Sequence, residues 1–107
     1  KINLKDFKLT FRSKYRAADI EYKKGSLVPG GMYEISKSDE KKLDIYEDFP
    51  ILYKKYYFTY QNNKIMTYTM VKKTNFRYPG DKYLNIIKKG YKDCDLDQKI
   101  LICALRN

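Results

Sequence analysis

The chain has 107 residues, 43% of them hydrophobic and 34% charged, a size and balance that fit one folded domain over residues 1–107 rather than a disordered segment. Its longest apolar run, residues 100–105, is far short of the about 20 residues a membrane-spanning helix needs. It holds no histidine and two cysteines, Cys94 and Cys103, which excludes Ser-His-Asp and Cys-His nucleophiles, His-containing zinc sites and four-thiolate sites.

Residues 8–12 alternate and predict a short strand, and residues 17–22 a second. Residues 23–26 read as a turn, with Gly25 free to take positive φ. Residues 27–35 form a third strand, interrupted by Pro29-Gly-Gly31, where proline cannot donate to a ladder and glycine marks a bulge. Ser36 is placed to cap a helix, with Asp39 three residues on. That helix carries Leu43 and Tyr46 on one side and must stop before Pro50. Residues 53–60 alternate strongly, residues 61–64 are a hairpin turn, and residues 64–72 are the returning strand. After a loop, residues 81–93 read as a helix with Tyr83, Ile86, Ile87 and Tyr91 on one face. Asp95 with Gln98 predicts a capped last helix through Leu105. The order predicts an α+β fold: a curved antiparallel sheet or partly closed small β-barrel with two to three helices.

The formal net charge is +10, which makes nucleic acid a candidate partner. The cations are 19 lysines against 4 arginines, and Lys, Asn, Ile and Tyr supply 47 of the 107 residues. These types are favoured by an AT-rich coding sequence, whereas contacts to phosphates and bases favour the planar arginine fork. Specific nucleic-acid binding is therefore not expected. The two cysteines read as free thiols of a cytoplasmic protein. No dinucleotide, P-loop or metal motif is present.

Without histidine, acid-base chemistry falls to Glu, Asp, Lys, Tyr or Cys. Most carboxylates lie in charged stretches. Glu47 instead follows Leu43-Asp-Ile-Tyr46 and precedes Asp48-Phe-Pro50, at a helix end against an apolar turn. Partial desolvation there favours the neutral form and raises the pKa, which turns a glutamate into a usable proton shuttle.

The segments Ala18-Asp-Ile-Glu21, Gly25-Ser-Leu-Val-Pro-Gly-Gly-Met-Tyr-Glu-Ile35 and Lys42-Leu-Asp-Ile-Tyr-Glu47 resemble the gamma-glutamylcyclotransferase-like family. So do Pro79-Gly-Asp-Lys-Tyr83 and Ile87-Lys-Lys-Gly-Tyr-Lys-Asp-Cys-Asp-Leu96, and the resemblance runs through nearly the whole chain. It implies that the glutamate at Glu47 is the catalytic acid-base. It also implies that tyrosines at Tyr53 and Tyr83 orient a small γ-glutamyl substrate, which closes to 5-oxoproline with release of an amine or amino acid. It implies no metal and no cofactor. Two departures stand out. The family glutamate is followed by glycine, and here by Asp48. The family also opens with a strand and a Tyr-Gly-Ser-Asn loop that holds substrate oxygens, and nothing in residues 1–11 matches it. A rival reading is a non-catalytic binding or inhibitory module that kept the fold, lost that loop and acts through a protein partner. A second rival is a small basic nucleic-acid binder.

Overall fold

The computed structural model describes residues 2–106; Lys1 and Asn107 lie outside them. The fold is α+β, with three helices and two separate two-stranded antiparallel sheets. The expected single curved sheet does not form, and no barrel closes among the described residues, because each ribbon pairs only with its own hairpin partner. The chain divides into two compact units, one of Lys1–Met32 with Lys73–Asn107 and one of Tyr33–Lys72.

In the first unit, β1 (Ile2–Arg12) pairs with β2 (Ala17–Gly30). The turn expected at residues 23–26 is a bulge inside β2, not the end of a strand. Pairing runs from Arg12↔Ala17 to Phe7↔Tyr22 and resumes at Lys5↔Leu27. Residues 23–26 are therefore looped out opposite Asp6, whose carboxylate accepts the Gly25 N–H at 3.0 Å. Gly25 takes φ +87°, which its missing Cβ permits, and Asp6 takes φ 63°. The third strand expected to reach residue 35 is only the end of β2.

Helix α2 (Asp81–Asp93) and helix α3 (Gln98–Leu105) complete this unit. Its core is Phe11, Leu84, Tyr91 and Leu101, with Leu9, Phe76, Tyr83 and Ile87 packed around it. The expected apolar face of α2 needs correction: Ile86 is 64% exposed, and Leu84 takes the core position. The cap of α3 needs correction too. Asp97, not Asp95, is the N-cap and accepts from the Lys99 N–H at 2.9 Å, while Asp95 sits in the left-handed region at φ 54°. The β1–β2 ribbon carries a buried ion cluster. Asp19 lies fully buried between Arg12 Nε at 3.2 Å and Lys73 Nζ at 2.8 Å, and Arg12 also pairs with Glu21.

In the second unit, helix α1 (Lys37–Tyr46) has the predicted capping box: Ser36 accepts from the Asp39 N–H, and the Asp39 carboxylate accepts from the Ser36 N–H. The helix buries no residue fully, and both Leu43 and Tyr46 are exposed. Strand β3 (Tyr53–Tyr60) pairs in unbroken register with β4 (Asn63–Met70). Gln61 and Asn62 turn the hairpin at φ 49° and 65°, the paired positive values that match the strand twist.

Candidate functional site

Glu47 is the C-cap of α1. Its N–H donates to the Leu43 carbonyl at 2.8 Å, which completes the last helical turn. The chain then reverses. Asp48 takes φ 52°, and its carbonyl accepts from the N–H groups of Ile51 and Leu52 at 2.9 and 2.8 Å. Phe49 N–H returns to the Asp44 carbonyl at 2.9 Å, and the Phe49–Pro50 peptide is cis. Asparagine and aspartate tolerate this backbone region better than other residues with a Cβ, which suits Asp48 to this turn.

The Glu47 side chain is half-buried. Burial pushes its pKa above the ordinary glutamate value. No described residue forms a hydrogen bond or an ion pair with its carboxylate. Glu47 thus carries a carboxylate that protein atoms shield but do not satisfy, the state that keeps a carboxyl group ready to exchange a proton. The exposed Asp48 carboxylate makes no contribution to this shift, which burial alone causes.

The neighbouring carboxylate, Asp44, is held differently. Tyr68 Oη donates to Asp44 Oδ1 at 2.6 Å and Lys55 Nζ to Asp44 Oδ2 at 3.1 Å. The tyrosine hydrogen bond, more than the lysine, keeps the Asp44 pKa below the ordinary aspartate value. Lys55 also donates to Glu40 at 2.5 Å and stands 4.6 Å from the centroid of the Phe49 ring. Those two carboxylates, Glu40 first, hold the Lys55 ammonium well above its usual range. Desolvation and the Asp44 hydrogen bond raise the Tyr68 hydroxyl in the same way. Lys55 and Tyr68 are directly paired across β3 and β4, next to the pair Tyr53↔Met70 on the same face.

Tyr53, the first residue of β3, is 6% exposed, and its ring meets Tyr68 edge-on at 6.4 Å. Glu47 and Tyr53 therefore belong to one unit, joined by the tight turn at residues 48–52. Tyr83 belongs to the other unit, in the first turn of α2, where its hydroxyl accepts the Ala18 N–H of β2 at 2.9 Å. The Asp44–Lys55–Tyr68 network is not legible from local pattern. Its one sequence signal is Lys55 at the inward phase of an alternating strand, where an apolar residue is expected.

Comparison with protein-family models, with curated proteins and with solved structures finds no match. Among the described residues no cluster of three or more His, Cys, Asp or Glu side chains is placed to hold a metal ion, and no helix is long and apolar enough to cross a membrane.

Proposed function

We propose that the chain is a gamma-glutamylcyclotransferase-like protein with Glu47 as its acid-base. The observation that carries this reading is the shielded, unpaired Glu47 carboxylate with its raised pKa, at the position where the motif resemblance puts the proton transfer. Glu47 takes a proton from the α-amino group of a γ-glutamyl amide. The freed lone pair attacks the γ-carbonyl carbon and forms the ring C–N bond. As the tetrahedral intermediate collapses, the amide C–N bond breaks and Glu47 returns the proton to the leaving nitrogen. The products are 5-oxoproline and a free amine or amino acid, and no water is consumed. Tyr53, in the same unit as Glu47, orients the substrate in this reading.

One observation favours the binding-module reading instead. The Tyr83 hydroxyl is engaged by the β2 backbone, and the Tyr53 ring is buried, so both tyrosines already have structural work. The deciding experiment follows 5-oxoproline by mass spectrometry during incubation with γ-glutamyl amino acids, glutathione and γ-glutamyl amines. Turnover by the parent and a loss of about 10² to 10⁴-fold in Glu47→Gln are expected, the usual worth of general acid-base catalysis. A residual rate within a few-fold of the parent excludes the role. A parent that binds a γ-glutamyl compound without turnover selects the binding module.

A further inference from the structure

The first unit contains a groove of about 560 Å³ between the β1–β2 ribbon and α3, within the size range of small-molecule sites. Its apolar surface comes from Leu9 and Leu27 on the ribbon and from Ile100 and Ala104, four residues apart on one face of α3. Lys8, Lys23 and Lys99 are among its lining residues, and among the described residues no Asp or Glu lines it. The bulge builds part of this wall. Residues 23–26 have no ladder partner, and they carry Lys23 and Ser26 into the groove just before Leu27. A regular ribbon would keep these residues in the ladder; bulges commonly re-aim side chains toward a site.

We propose that this groove binds a small amphiphilic carboxylate, an unbranched acyl anion whose chain lies on the leucine and isoleucine surface and whose carboxylate meets the lysines. The pairing is set by chemistry. Aliphatic side chains without aromatic rings suit a flexible hydrocarbon rather than a stacking base. Lysine ammonium groups on flexible stems lie along apolar surface while their charges reach the mouth. A groove volume of about 560 Å³ suits a small molecule rather than a peptide segment. The site is separate from Glu47, Tyr53 and Tyr83, none of which lines it.

Cys103, exposed and lining the groove, supplies a reporter, with Cys94 as the internal control. Dodecanoate, decanoate, dodecanol and dodecyltrimethylammonium are titrated below their micellar concentrations by calorimetry. Maleimide labelling of the two cysteines is read at peptide level in parallel. Dodecanoate is expected to bind one-to-one and to slow labelling of Cys103 but not of Cys94. Each methylene removed weakens binding about fourfold, so decanoate binds about 15-fold less tightly. Dodecanol and the ammonium surfactant bind at least tenfold more weakly. The double variant Lys23→Glu/Lys99→Glu, both positions exposed, keeps the parent melting behaviour and loses at least tenfold in dodecanoate affinity. Equal binding of dodecanoate and dodecyltrimethylammonium overturns the proposal, as does dodecanoate binding that leaves Cys103 labelling unchanged. So does retention only on vesicles of phosphatidylglycerol and phosphatidylcholine with no binding of the monomeric acid, or preferential binding of an acidic amphipathic peptide.

Discussion

Glu47 and Asp48 are adjacent carboxylates in opposite circumstances, one shielded and one exposed. Burial penalises ionised Glu47, so the native state keeps that proton to higher pH than the unfolded chain does. Between the ordinary value of 4.5 and the raised native value, the folded state binds more protons, and stability falls as pH rises through that window. Glu47→Gln removes the penalty. Its melting temperature is expected to exceed the parent's at pH 7 and to converge on it below pH 4.5, followed by circular dichroism. A less stable variant at pH 7 would mean that a favourable contact holds the carboxylate. Asp48 poses the backbone question. Its φ of 52° disfavours a Cβ, so Asp48→Gly is expected to stabilise by about 0.5–1 kcal/mol in urea titration. The Glu47 carboxyl resonance should still titrate above the ordinary range in that variant, because burial rather than Asp48 sets it.

At the scale of elements, α3 is the short helix on which the first unit's core closes. Leu101 is 1% exposed among Phe11, Leu84 and Tyr91, so Leu101→Ala is expected to cost about 2–5 kcal/mol in chemical denaturation. Ile86→Ala, on the exposed side of α2, should stay within about 0.5 kcal/mol of the parent. The contrast between these residues shows what sequence can reveal. Helical spacing finds that residues 81–93 are a helix, and the bounds agree with the structure. It does not find which edge of the apolar stripe meets the core: Leu84 and Ile86 are both apolar, and only the partners decide between them. Strand β3 is legible from its apolar periodicity, and the hairpin from Asn62, although the turn is the two residues Gln61 and Asn62 rather than residues 61–64 and β4 runs Asn63–Met70 rather than residues 64–72. The bulge at residues 23–26 is not. Its turn chemistry is genuine, but the strand continues because residues 27–30 pair back onto β1, a contact more than 20 residues away. The candidate site divides in the same way. The shielding expected for Glu47 from its place at a helix end agrees with its raised pKa, whereas the Asp44–Lys55–Tyr68 network joins residues 11 and 24 positions apart.

At the scale of the molecule, the net charge of +10 has no single address. Every helix and strand carries at least one lysine, and all described lysines except Lys8 and Lys55 are exposed. Acids neutralise several of them locally, as Asp93 does for Lys89 at 2.8 Å and Asp19 for Lys73. Arginine, the residue suited to reading a base edge, is scarce, and Arg12 is taken up by the buried cluster with Asp19 and Glu21. Such a surface attracts polyanions by counterion release without selecting among them. Fluorescence anisotropy with duplex and single-stranded DNA is therefore expected to give dissociation constants of about 10⁻⁴ to 10⁻⁶ M at physiological salt, equal across sequences. Affinity should fall linearly with the logarithm of salt concentration. Replacing any one exposed lysine, Lys24→Ala or Lys88→Ala for example, should lower it slightly and by similar amounts, because no lysine anchors a register. A nanomolar, sequence-selective complex that survives physiological salt, or a single lysine whose loss abolishes binding, would contradict a scattered charge and return nucleic-acid recognition to the leading function.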